Sequence, residues 1–307
     1  MRNLARDRSL YFGIFLIVAT ALTISVQDLV FKLFSSDLTL WQIFTLRGFI
    51  AIAMLVAVAA LRGQFRSVLP AAFTLWSLLR GLCLTITFLA FYAALPFLSL
   101  STVGAANYVA PIFVAILSAF VIGERVTPLG WVGVLIGFVG VITLLQPGTD
   151  AFSAFAVLPV MGAAFYAVGH IITRTRAQAL PTAALALSLN AMMCVAGSLI
   201  SIGLVFWHPN PALVADYPYL IGGWTALVPA DWLFLGILAA FAVAIGMMLS
   251  AAYQIAPPAT VATFEYSYLV FVALWDALIF GEVPTYVSVA GMVLIVISGL
   301  LAMHRRV

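Results

Sequence analysis

The sequence predicts an all-α integral membrane protein of ten transmembrane helices in two inverted five-helix repeats. Three observations carry that expectation: a composition unable to form a polar surface, ten apolar runs of membrane length, and a stretch that returns later in the chain. The 307 residues are 65% hydrophobic and only 7% charged, with mean hydropathy +1.21. Soluble domains carry about 25% charged residues, so this chain has too few to clothe a water-facing exterior.

The apolar runs lie near 10–33, 39–61, 70–94, 98–122, 128–146, 153–173, 182–206, 232–255, 259–280 and 285–303. Each is long enough to approach the roughly 30 Å of a hydrocarbon core at 1.5 Å per helical residue. Arg2, Arg6 and Arg8 precede the first run, as in a signal peptide, but further spans follow and no small-residue cleavage site stands out. The first run therefore reads as a retained span. Arginine placement orients the spans. With the N-terminus in the cytoplasm, inner segments hold Arg2, Arg6, Arg8, Arg62, Arg66, Arg125, Arg174, Arg176, Arg305 and Arg306. Outer loops hold Asp37, Asp150, Asp216, Asp231 and Glu282, with Lys32 ending the first span. This positive-inside pattern places both termini in the cytoplasm. It also accounts for the net charge of +3 without a basic patch for nucleic acid.

The stretch from Thr102 to Gly140 recurs from Thr260 to Ser298 at a constant offset. Tyr108 matches Tyr266, Phe113-Val114-Ala115 matches Phe271-Val272-Ala273, and Gly123-Glu124 matches Gly281-Glu282. An internal duplication divides the chain into residues 1–148 and 149–307. Five spans separate equivalent positions, so the second copy is inverted relative to the first, an arrangement typical of secondary transporters. Each copy is an apolar run, a Gly-Glu turn and a second apolar run. Gly123 suits a helix C-terminal cap, Thr127 an N-cap and Pro128 the first helical position. Both glutamates are expected to serve these turns.

On these residues the chain resembles the EamA-type drug/metabolite transporters. The segment Pro111 to Gly123-Glu124-Arg125 carries the resemblance in the fourth span. In the ninth it is Phe264-Glu265-Tyr266-Ser267-Tyr268 through Gly281-Glu282-Val283-Pro284, with Arg47 and Lys32 at positions where the family often has such residues. The resemblance implies transport of a small organic solute across the bacterial inner membrane by alternating access. Amino-acid-like and planar heterocyclic solutes both fit, and the Phe-Glu-Tyr segment looks most like members carrying riboflavin or S-adenosylmethionine. Leu269 stands where the first copy has Pro111, so the two kinks need not be equivalent.

Ionisable side chains inside a bilayer cost several kcal/mol unless paired or hydrated, so each is a site candidate. They are Asp28, Arg47, Arg80, Glu265 and Asp276, with His170 as a titratable neutral. Estimated depths pair Arg80 with Glu265 and Asp28 with Arg47. Glu265, Tyr268, Val272 and Asp276 fall on one stripe of the ninth span, and Trp76, Arg80, Thr87 and Phe91 on one stripe of the third. Asn107, the counterpart of Glu265, precedes Pro111 by one turn, and a proline there frees a carbonyl. Tyr108, Tyr266 and Tyr268 could stack on a planar solute, although aromatic residues in spans more often face lipid or core. His170 lines the site or satisfies a backbone carbonyl, the second being favoured. The loop from His208 to Asp231, rich in tryptophan and tyrosine, should lie in the headgroup region. Gly133, Gly137 and Gly140 read as close helix packing.

A membrane enzyme is the other function class, but no HExxH pair and no Gly-x-Ser-x-Gly elbow occurs. The three histidines are far apart, and Cys83 and Cys194 fall inside apolar runs, so no metal, cofactor or disulfide framework is implied. The only lysine is Lys32 and no phosphate-binding loop is present, which argues against ATP as partner and leaves the solute and membrane lipid. The orientation has a direct check. Cysteine at Asp150 or Asp216 should react with an impermeant thiol reagent added outside intact cells, and cysteine at Arg66 or Arg176 should not. Reversed labelling would overturn both the orientation and the inversion.

Overall fold

Glycine, proline and hydroxyl residues decide where the apolar runs become separate helices in the computed structural model, which describes residues 2–33, 38–94, 108–124, 126–145, 155, 157–279, 281 and 285–303. In chain order the helices are α1 (Arg2–Leu33), α2 (Leu40–Leu61), α3 (Phe65–Ala72), α4 (Leu75–Ala94), α5 (Ala110–Leu117), α6 (Pro128–Leu145) and α7 (Val157–Thr175). Then come α8 (Thr182–Trp207), α9 (Pro211–Asp216), α10 (Pro218–Ile221), α11 (Pro229–Ile255), α12 (Pro258–Glu265), α13 (Ser267–Ile279) and α14 (Tyr286–Met303). No strand occurs among the described residues. Seven stretches there are long and apolar enough to cross a membrane: Arg8–Val30, Leu40–Leu61, Leu75–Ala94, Val157–Thr175, Thr182–Trp207, Pro229–Ile255 and Pro258–Ile279. Ala110–Ile122, Pro128–Thr143 and Val289–Leu301 are shorter apolar helices.

The structure changes some sequence boundaries. The run expected from residue 70 is split, because the Phe73 and Thr74 amides close the end of α3 on the Pro70 and Ala71 carbonyls. Thr74 then starts α4 by accepting the Leu78 amide on its carbonyl. Pro111 does not kink the described part of the fourth span; it sits in the first turn of α5, where its missing N–H leaves no helical bond unmade. A π-helical turn, Ser118–Ile122, follows α5 and ends at Gly123 with φ +74°. That left-handed backbone favours glycine, and the Gly123 cap and the Thr127 N-cap both form, the latter accepting the Gly130 amide at 3.0 Å.

The chain separates into two compact units, each drawing on both halves of the sequence. The first comprises Met1–Leu29, Ile86–Ala179 and Met248–Val307. Its main core joins Leu10 and Ile17 of α1, Val114 of α5, Ala167 of α7, Ala252 and Tyr253 of α11, and Val261 and Ala262 of α12. A second cluster sets Val141 of α6 and Ile295 of α14 around Tyr266 and Leu269. Close approach here depends on missing side chains: a Cβ on Gly140 would stand 2.9 Å from the Gly291 carbonyl oxygen.

The second unit comprises Val30–Thr85 and Leu180–Met247. In it α2 packs on α8, with Gly48 against Cys194 and Gly197 against Phe44 and Thr45. Asn210 caps α9, accepting the Ala212 amide at 3.0 Å. The segment expected to lie along the headgroups is fastened to α2 and α8. Trp41 donates to the Leu220 carbonyl at 2.6 Å, Gln42 to the Thr225 carbonyl at 2.9 Å, and Trp224 to Ser201 Oγ at 2.9 Å.

Gly137 has a sharper role than generic helix packing. A Cβ there would overlap the Tyr266 ring and lie 2.6 Å from Ser298 Oγ. Overpacking of this kind costs about 1–3 kcal/mol, so Gly137→Ala should lower the melting temperature in detergent. Gly203→Ala is the control: nothing lies within 4 Å of its Cβ position, and removing a mid-helix glycine should be neutral or stabilise by up to about 1 kcal/mol. Equal melting temperatures for Gly137→Ala and wild type would contradict the packing reading.

Candidate functional site

The polar groups of the first unit gather where the ninth apolar run is interrupted. Pro257 and Pro258 start α12 afresh, and α12 ends at Glu265 after only eight residues. Tyr266 stands between α12 and α13, the Ser267 hydroxyl donates back to the Phe264 carbonyl at 2.7 Å, and the Leu269 amide bonds the Tyr266 carbonyl. Glu265 is thus a carboxylate at the α12–α13 junction, inside a stretch apolar enough to cross a membrane, where burial disfavours its charge. Two hydroxyls compensate. Tyr166 of α7 and Tyr253 of α11 each donate to Glu265 Oε1 at 2.8 Å.

These donors are themselves held. Tyr253 is fully buried, and its ring stacks on His170 at 3.8 Å with planes 24° apart. The Tyr166 ring lies 4.3 Å from His170, tilted by 57°. Tyr166 and His170 are one helical turn apart on α7, so they present to the same side. His170 is fully buried within this aromatic stack.

A second carboxylate, Asp28 of α1, accepts the Tyr268 hydroxyl at 2.5 Å. Tyr268 stacks with Tyr108 at 6.2 Å and 27°, and Tyr108 lies 6.0 Å from Tyr266, whose hydroxyl donates to the Tyr108 carbonyl at 3.4 Å. The three tyrosines therefore connect the two carboxylates. Glu265 is half-buried and Asp28 exposed, although both lie in stretches apolar enough to cross a membrane. An ionisable side chain in such a stretch is a site candidate by default. Among the described residues of this unit, the ion pair present is Arg174 with Glu124, remote in sequence from both carboxylates.

Of the sequence candidates, the structure brings together Asp28, Tyr108, His170, Glu265, Tyr266 and Tyr268. Arg80 and Arg47 belong to the second unit and have partners within it. Arg80 is fully buried and donates to the Leu185 carbonyl at 3.2 Å. Arg47 lies over the Phe44 ring at 5.5 Å and donates to Met193 Sδ at 3.6 Å. Of the stripe expected on the ninth span, Glu265 accepts from Tyr166 and Tyr253, whereas Tyr268 donates to Asp28. Asn107, Arg125, Asp150, Glu282 and the side chain of Asp276 lie outside the described residues. Tyr166 and Tyr253 were missed by sequence reasoning. The available signal was Tyr166 one turn before His170, but an aromatic residue in an apolar run carries no polar signature.

Glu124 does serve its turn, as expected. Its amide donates to the Ser118 carbonyl at 3.1 Å, and Ser118 Oγ donates to Glu124 Oε2 at 3.2 Å. The pairing with Arg174 is additional and was not foreseen.

The EamA-like transporter family model matches residues 11–146 and again 154–303. The S-adenosylmethionine uptake transporter of Rickettsia prowazekii (strain Madrid E) is 22% identical over 294 residues, covering 96% of this chain and 93% of that protein. A riboflavin transporter of Brucella anthropi is 24% identical, covering 66% of each. A solved crystal structure superposes with TM-score 0.75 at 18% identity, covering 96% of this chain and 97% of that one, which bears on the fold alone. Membrane-length helices, carboxylates accessible within them and a family match along almost the whole chain lead to one conclusion: this protein belongs to the EamA-like transporter family and is a non-enzymatic, multi-pass carrier of small metabolites.

Proposed function

We propose that the protein is a secondary transporter working by alternating access, with residues 1–148 and 149–307 as two inverted five-helix repeats, and that Glu265 and Asp28 hold the positive charge of its solute. The observation that carries the reading is Glu265 at the α12–α13 junction, held by the hydroxyls of Tyr166 and Tyr253 inside a stretch apolar enough to cross a membrane. An ionisable group at such a position is by default a site candidate. Two carboxylates accompanied by hydroxyls suit an ammonium or another organic cation, and the tyrosine rings add a stacking surface and cation–π attraction. An amino-acid-like solute bearing a planar heterocycle meets both requirements, and S-adenosylmethionine, named for the Rickettsia relative, is such a molecule. The riboflavin relative favours a second reading, a neutral planar solute held by the tyrosines alone. Arginine placement supports both termini facing the cytoplasm of a bacterial inner membrane.

Uptake of labelled S-adenosylmethionine and riboflavin into liposomes holding the purified protein, with and without a pH gradient, tests this reading. Glu265→Gln retains size and hydrogen bonding but removes the charge. Losing a charged hydrogen bond of about 1.5–3 kcal/mol should weaken apparent affinity for the cation by roughly 10–100-fold, with amounts of inserted protein unchanged. Asp28→Asn should act in the same direction, and riboflavin transport should be insensitive to both. Normal cation transport per folded molecule by both variants would sink the assignment of these carboxylates.

A further inference from the structure

At the far end of the same helices, α7 carries a third residue in register with the site. Tyr166, His170 and Arg174 recur every four positions, so they form one line along the helix. Tyr166 reaches Glu265, and His170 stacks on Tyr253. Arg174 reaches the backbone directly after Tyr253: its Nη1 donates to the Gln254 carbonyl at 2.8 Å. The sequence leaves that carbonyl available. In a continuous helix it would accept the amide of residue 258, but residue 258 is proline and has no N–H.

Arg174 and its neighbours fill that vacancy. Gln178 Nε2 also donates to the Gln254 carbonyl at 2.8 Å, and Gln254 Nε2 donates to the Ala177 carbonyl at 2.8 Å. The rest of the guanidinium is anchored on Glu124 Oε1, at 3.0 Å from Nε and 3.0 Å from Nη2. The forked, planar group makes both attachments together, which the single ammonium of a lysine does with less geometric definition. Gln254 follows Tyr253 immediately, and α12 spans only the eight residues from Pro258 to Glu265. The clamp therefore fixes the short segment lying between a donor to Glu265 and Glu265 itself.

We propose that Arg174, beyond its expected topological role, is a positioning residue of the transport site: by holding the Gln254 carbonyl freed by Pro258, it sets the approach of the Tyr253 hydroxyl to Glu265. The inference rests on Glu265 belonging to the transport site only for its effect on transport; the positioning is local and can be read without a solute. Loss of the clamp loosens the α11–α12 junction and lengthens the Tyr253–Glu265 bond.

The experiment uses the full chain in liposomes, labelled with glutamate carrying a ¹³C side-chain carboxyl. Only Glu124, Glu265 and Glu282 then contribute, and subtracting the infrared spectrum of Glu265→Gln isolates Glu265. Tyr253→Phe, which deletes the hydroxyl, sets the reference shift of the carboxyl band. Arg174→Gln should move the band towards that reference, and Arg174→Lys should move it less. Glu124→Gln leaves the Gln254 attachment in place and should leave the band at the wild-type frequency. Kinetics follow the same order, with KM for S-adenosylmethionine raised severalfold in Arg174→Gln and less in Arg174→Lys. A wild-type band in both Arg174 variants, with only the melting temperature lowered, overturns the proposal and leaves Arg174 a structural anchor. A shift in Glu124→Gln as large as that in Arg174→Gln also overturns it, since the ion pair would then be the positioning element. If wild-type protein moves no S-adenosylmethionine, the cationic-solute reading falls while the band still decides the role of Arg174.

Discussion

A carboxylate inside a hydrocarbon layer needs hydrogen-bond donors, and much of the first unit is arranged around meeting that need at Glu265. The charge of an unassisted group there would cost several kcal/mol. The solution is not a salt bridge within the unit but two tyrosine hydroxyls on the same oxygen. Phenols are well suited to this. Their rings pack as apolar bodies while their tips donate, so Tyr253 is fully buried and still reaches the acid. His170 contacts both rings, with centroids 4.3 Å from Tyr166 and 3.8 Å from Tyr253.

Charge satisfaction by neutral donors has a functional consequence. An arginine paired with Glu265 would have neutralised the site and left little field for a cationic solute. Hydroxyls donate to the carboxylate without bringing a positive charge of their own, and the same holds for Asp28 with Tyr268. In the proposed reading, a positively charged solute gains from both acids. The stacked Tyr108 and Tyr268 rings supply a flat surface beside that charge.

Proline supplies the geometry that makes this possible. Pro257 and Pro258 stop α11 and restart the chain as α12, which delivers Glu265 to the interruption at Tyr266. The freed Gln254 carbonyl does not remain unsatisfied, since Arg174 and Gln178 take the place of the missing amide. Nearby, Gly137 leaves room for the Tyr266 ring against α6. Breaks in regular structure and absent side chains are thus as necessary to the site as the charged groups.

The sequence by itself determined the all-helical membrane class, because composition and apolar run length depend on no tertiary contact. It also identified Asp28 and Glu265, since a charge in an apolar run is conspicuous, and the Gly123 and Thr127 caps, whose chemistry is local. Direction around the helix axis was not readable from residue spacing. Periodicity placed Glu265 and Tyr268 on one stripe but did not say which helix each would meet. Partner choice was likewise hidden. Tyr166 and Tyr253 look like any other aromatic residues in apolar runs, and Arg174 looks like one more inner-loop arginine. Only the folded packing of α7 against α11 and α12 decided that their polar tips meet Glu265 and Gln254, because hydrogen bonds between residues far apart in the chain are fixed by how helices are juxtaposed, and no local pattern encodes that.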